Sequence, residues 1–168
     1  MTKESRLTHL DAHGQAHMVD ITQKLPSVRQ AKACGFVRCS SAIMEALTSN
    51  NVPKGDALAV ARVAGIAAVK KTPSLLPLAH PIAVHYCSID LDVADGGVLI
   101  ECVVRTADRT GIEMEALTGV TVAGLALIDM VKGVDKRVSL ENCYVVEKSG
   151  GRSGTWKRET THGHTIPT

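Results

Sequence analysis

Aromatic residues are nearly missing from this 168-residue chain: one Trp, two Tyr and one Phe make up 2% of it. A core of this size must then be aliphatic, and surfaces on which nucleic-acid bases could stack are scarce. Excess charge of one sign is lacking too. A formal net charge of +2 does not point to a nucleic-acid partner. The five cysteines (Cys34, Cys39, Cys87, Cys102, Cys143) are odd in number and never spaced CxxC. That pattern argues against a zinc site or a disulfide framework and fits buried thiols of a reducing compartment. The opening MTKESRLTHLDAHG has no apolar run of the signal-peptide kind. Together these absences predict a single soluble, cytoplasmic domain over residues 1–168, with no membrane and no nucleic acid among its partners.

What the chain does have is one long uncharged stretch with acids at both ends. Ala116 to Ile128 (ALTGVTVAGLALI) separates Glu113-Met114-Glu115 from Asp129-Met130-Val131-Lys132. Thr110-Gly111-Ile112-Glu113 fits a capping box, so a helix is predicted to start at Thr110 and run over 111–132. Gly133 fits the left-handed residue that ends such a helix. Its apolar part is too short to span a membrane and apolar enough to be buried. Asp129 would then sit in the last turn, where the helix dipole disfavours negative charge by roughly 0.3–1 kcal/mol. A residue set against a local rule asks for a compensating reason. Asp129 is therefore the first functional candidate.

Around that helix the remaining elements fall into order. Residues 1–28 are polar and irregular, and Gly35 to Cys39 reads as a short strand before a helix at about 41–48. Asp56 is placed to N-cap a helix running to about Lys71, where Thr72-Pro73 stops it. Strand-like runs at about 82–93 and 97–106 flank the hairpin signal Asp95-Gly96-Gly97. Arg137 to Val146 reads as a last strand, and the Gly- and Ser-rich tail from about 149 is expected to be mobile. The expectation is an α+β, ferredoxin-like split βαβ fold: four antiparallel strands with helices on one face.

Several side chains could carry chemistry. Asp129 and Lys132, at i and i+3, share a helix face. A surface ion pair is the plain alternative, but a lysine beside a carboxylate also holds it ionised, ready to move a proton. His80 is bracketed by Pro77 and Pro81, and fixed presentation suits a general acid or base that titrates near neutrality. Glu113 has a capping role to play, which leaves Glu115 the freer acid of the pair. Lys54 and Lys70 are individually unremarkable, and Lys148-Ser-Gly-Gly-Arg152 could wrap an anion with backbone N–H groups without being a P-loop. His9, His13 and His17 recur every four residues, and His162 and His164 flank a glycine, yet neither set makes a persuasive metal site.

Taken together, the segments resemble the MoaC family of molybdenum cofactor biosynthesis. The resemblance is carried by Leu7-Thr8-His9, Gly14 to Asp20 (GQAHMVD), Lys54-Gly55-Asp56, Ala61 to Ile66 (ARVAGI), Leu78-Ala79-His80-Pro81, Thr110 to Thr118 (TGIEMEALT), Asp129-Met130-Val131-Lys132 and Lys148 to Gly154 (KSGGRSG). The family usually shows a cysteine where Ala79 stands and often another where Val131 stands. The resemblance implies a lyase that makes cyclic pyranopterin monophosphate from a cyclised dihydroguanosine triphosphate and releases pyrophosphate. It implies a homohexamer built from dimers, and no cofactor or metal is expected from the residues themselves. By that similarity Asp129 is the catalytic acid/base, and Lys132, Lys54 and His80 join it as the other catalytic residues. Leu78, Ala79, His80, Glu113, Met114 and Glu115 then line the small nucleotide-derived substrate. Lys24, Arg29, Lys70, Lys148 and Arg152 are the cations available to its phosphates.

Two rivals are weaker. A ferredoxin-like RNA-binding or regulatory module would put stacking aromatics on its central strands, where only Tyr86 is available. A metal-dependent phosphohydrolase or cyclase would want clustered Asp and His ligands, and the acids here are widely spaced. One geometric expectation concerns the site itself. Fourteen helical steps from Glu115 to Asp129 span about 21 Å, too far for one small substrate to touch both ends within a chain. An isologous dimer would solve this by bringing opposite ends together across its two-fold axis.

Overall fold

A computed structural model of the chain describes residues 9–11 and 13–159. Strand β1 (Ser27–Arg38) is followed by helices α1 (Ser41–Thr48), α2 (Ala57–Val69) and the single turn α3 (Thr72–Leu75). The hairpin β2 (Tyr86–Ala94) and β3 (Gly97–Asp108) leads into α4 (Glu113–Val131), then β4 (Ser139–Ser149) and β5 (Trp156–Lys157). The sheet order is β2-β3-β1-β4-β5, with every neighbouring pair antiparallel. This is the predicted α+β ferredoxin-like arrangement with one strand more than the four expected.

The extra strand is β5. Positive φ at Gly150, Gly151 and Gly154 turns the chain back so that Trp156 pairs with Lys148 and Lys157 with Glu147. Arg158 then lies over the rings of both Tyr144 and Trp156. Strand β1 is also much longer than the five residues predicted. Its first half carries Arg29, Gln30 and Lys32 between buried alanines, so no apolar run announces it. Lys32 pairs with Glu101 of β3 on the face turned away from the helices, while Ala31, Ala33 and Val37 are fully buried.

Helices α2 and α4 cover one face of the sheet. On α4 the stripe Ala116, Val120, Ala123, Leu127 and Val131 is fully buried, the 3.6-residue period of an amphipathic helix. Against the expectation that it is too short to span a membrane, α4 could cross a bilayer by length and composition, but half of its apolar window is packed inside the protein. The two helices approach closely through small residues. A Cβ on Gly65 would fall 2.8 Å from the Gly119 carbonyl oxygen and 3.0 Å from the Ala123 Cβ. Asp56 caps α2 as expected, accepting from the Ala59 N–H at 2.9 Å.

Both predicted boundaries of α4 need correction. The helix begins at Glu113, with Ile112 in the N-cap position and no side-chain cap. Ile112 is drawn into the core at 1% exposure, and that anchor sets the entry in place of a Thr110 capping box. At the other end Gly133 is not left-handed. The Val131 carbonyl instead accepts from the N–H groups of Val134 and Asp135.

Candidate active site

At the N-terminal end of α4 the fold gathers a cleft of about 550 Å³ from six parts of the chain. The β3–α4 junction and first helical turn contribute Thr110, Gly111, Glu113, Met114 and Glu115, and the Pro-bracketed loop contributes Leu78, Ala79 and His80. Strand β1 supplies Arg29, the end of β4 supplies Lys148, the glycine turn beyond it supplies Arg152, and the irregular N-terminal arm brings Asp20 and Lys24. Predicted residues from distant parts of the sequence thus converge. Lys70 is not among those lining the cleft. It caps the C-terminus of α2 and is exposed.

Glu115 is only 3% exposed. Burial pushes its carboxyl above the ordinary range, and the neighbouring charge of Glu113 adds to the rise, while a bond from its own backbone opposes both. His80 Nε2 lies 2.8 Å from the Val19 carbonyl. A carbonyl only accepts, so in this contact Nε2 carries the hydrogen, and the neutral ring keeps its lone pair on Nδ1. The cations are anchored too. Arg29 donates through Nε to the Asp108 carbonyl at 3.0 Å, and Lys148 Nζ donates to Ser153 Oγ across the glycine turn.

At the opposite end of α4, Asp129 forms a three-member cluster. Lys132 Nζ lies 2.5 Å from Asp129 Oδ1, and Lys54 Nζ lies 2.8 Å from both Oδ2 and the Asp129 backbone oxygen. Lys54 arrives from the loop that precedes the Asp56 cap, where Gly55 takes φ +98°. The carboxyl is pulled down to about 2, first by its hydrogen bond with Lys132 and then by that with Lys54. The sequence anomaly has a local answer here: two ammonium groups offset the dipole at this helix end, and one satisfies a carbonyl there. All three side chains stay about half exposed, open to a ligand.

Sequence reasoning paired Asp129 with Lys132 but not with Lys54, seventy-five positions away. It also passed over Arg109, which lines the N-terminal cleft from the β3–α4 junction. Its place directly before Thr110-Gly111 was the available signal. The His17 N–H donates to the His9 carbonyl at 3.0 Å beside the Leu10–Ala16 bridge, and His162 and His164 lie outside the described residues. Among the described residues no group of three or more His, Cys, Asp or Glu is arranged to hold a metal ion.

The family model described as the MoaC family matches residues 18–151, which include both clusters up to Lys148. The chain belongs to the MoaC family. A cyclic pyranopterin monophosphate synthase of Streptomyces griseus is 50% identical over 97% of this chain and 92% of its own length. A Nocardioides protein of the same name is 51% identical over 91% of this chain and 96% of its own. The Mycobacterium tuberculosis cyclic pyranopterin monophosphate synthase 2 is 47% identical over 93% of each. The Lys54–Asp129–Lys132 cluster and most of the N-terminal cleft thus lie within the matched part of this MoaC chain, with Arg152 one residue beyond it.

Proposed function

We propose that the chain is a cyclic pyranopterin monophosphate synthase of molybdenum cofactor biosynthesis, acting in the cytoplasm on (8S)-3',8-cyclo-7,8-dihydroguanosine 5'-triphosphate. The observation that carries this is near-complete coverage by relatives of that name at about half identity. The site chemistry is consistent with it. The guanine-derived ring must open and reclose as a pyranopterin, which takes several proton transfers. A ribose-derived hydroxyl then attacks the α-phosphorus, the bond to the β-phosphate breaks, and pyrophosphate leaves. Cations stabilise the charge that develops on the departing group, and Lys24, Arg29, Lys148 and Arg152 are gathered in the cleft for that purpose.

Proton transfer falls to groups in contrasting surroundings. Asp129 is held as an anion by two lysines, so the protons at that end reside on Lys132 and Lys54. Asp129 positions and discharges them as acid/base catalysis proceeds. His80, with Nε2 on the Val19 carbonyl, offers Nδ1 as an acceptor. Leu78, Ala79, Glu113, Met114 and Glu115 line the ring.

The complete site lies between subunits of a two-fold dimer, three of which form a hexamer. About 21 Å of helix separates Glu115 from Asp129. An antiparallel pairing puts Asp129, Lys132 and Lys54 of one subunit against the partner's His80, Met114 and Glu115. Incubation with the cyclised triphosphate tests the activity. Pyrophosphate release together with a pterin that fluoresces after oxidation is the expected result. Folded protein that yields neither, at saturating substrate, overturns the reading.

A further inference from the structure

Arg109 stands at the centre of a chain of hydrogen bonds that fixes the cations of the cleft relative to one another. Its Nε donates to the Lys24 carbonyl at 2.9 Å, which ties the arm around residues 19–24 to the junction between β3 and α4. That arm has no regular secondary structure of its own. Arg29 grips the same junction from β1, through Nε to the Asp108 carbonyl (3.0 Å) and Nη2 to the Arg109 carbonyl (3.3 Å). The Asp108 carboxylate accepts the Arg109 backbone N–H at 2.7 Å. A continuous path thus runs from β1, through residues 108–109, to Lys24.

All three linked residues are cations, and all three line the cleft. Like charges repel, and more strongly where water is thinned out. The irregular arm is the member free to yield, and without a tether Lys24 would move outward and disperse the positive charge. We propose that Arg109 is a positioning residue that holds Lys24 beside Arg29 before substrate arrives, so that the phosphate chain meets an assembled cation cluster. The inference rests on the proposed function for its substrate, but the tether itself does not. Guanidinium geometry suits the task, since Nε can hold a carbonyl while the outer nitrogens remain available to a phosphate. A lysine at 109 keeps the charge but cannot do both from one fixed point.

The test compares the full chain with Arg109→Lys and Arg109→Ala, both changes at an exposed site. Three readouts apply: tryptic cleavage after Lys24 followed by mass spectrometry, affinity for inorganic tripolyphosphate, and kcat and KM on the cyclised triphosphate. Both variants should be cut after Lys24 several-fold faster at an unchanged melting temperature. Loss of one hydrogen bond to a charged group should weaken tripolyphosphate binding and raise KM by about tenfold, with kcat within about threefold. Unchanged cleavage after Lys24 overturns the tether. Full recovery of affinity and KM in Arg109→Lys shows that charge alone matters and overturns positioning, as does a fall in kcat at constant KM. If the wild-type protein binds tripolyphosphate but does not turn over the cyclised substrate, the functional reading fails while the cleavage and affinity comparisons still decide the role of Arg109.

Discussion

The two ends of α4 hold carboxyl groups in opposite circumstances. At the N-terminal end Glu115 is buried with no cation paired to it among the described residues, and its proton is held more tightly than usual. Asp129 at the C-terminal end is half exposed between two lysines and is an anion at any pH above about 2. Burial and ion pairing have driven two carboxyls on one helix in opposite directions. Such separation is how acids of one type come to play different parts in one reaction. Glu115 favours its neutral form more than an exposed carboxyl would, whereas Asp129 keeps its charge between the ammonium groups of Lys54 and Lys132.

Removing one side of that contrast gives the largest expected effect. Asp129→Asn and Lys132→Ala should each lower turnover about 10²–10⁴-fold, the usual cost of losing a general acid or base, while the protein still folds. Steady-state assays on correctly assembled protein check this. Activity within about threefold of wild type for both would reduce the cluster to a surface ion pair.

Uniting the two ends across subunits predicts a smaller but diagnostic recovery. Inactive Asp129→Ala and His80→Ala proteins, mixed under verified subunit exchange, should form dimers with one intact site of two. Activity should then return to about a quarter of wild type if exchange is random, since half the dimers are mixed and each has one working site. No recovery would confine each site to a single chain.

The smallest effect sharpens the contrast through stability. A carboxyl whose folded pKa is raised makes the folded state favour the protonated form, so its stability contribution falls as pH rises past the ordinary glutamate value of 4.5. Glu115→Gln removes that dependence. Its melting temperature should exceed that of wild type at neutral pH, and the gap should close below pH 4.5. Asp129→Asn should do the reverse: a depressed carboxyl stabilises above its unfolded value of 3.8 and loses that contribution as pH falls towards 2. Parallel pH–melting profiles for the two variants would mean that the ends do not differ electrostatically.

Much of this architecture was legible because it depends on near neighbours. The Asp56 cap, the apolar period of α4 and the β2–β3 hairpin are each encoded within a few residues. Strand β1 was only half visible, because a central strand with polar side chains on its outer face need not show an apolar run. Strand β5 was invisible, being two residues whose pairing depends on three left-handed glycines. The Thr110 cap was misread because the burial of Ile112, a tertiary effect, overrides a local motif. The same divide runs through the site. Asp129 with Lys132 follows from helical spacing, but Lys54 on Asp129 and Arg109 on Lys24 join positions that only the folded chain brings together.

The close contact between Gly65 and Gly119 makes α4 a ruler. A helix held this tightly at Gly119 and Ala123 against α2 has no Pro or bulge at which to bend, so the span between Glu115 and Asp129 is a fixed dimension of the fold. With a shared site, catalytic competence then becomes a question of population. Dilution below the dimer's dissociation constant leaves each chain intact yet holding two unmatched halves, and activity per chain falls with the paired fraction. The cell would regulate such an enzyme as effectively by its abundance as by any ligand.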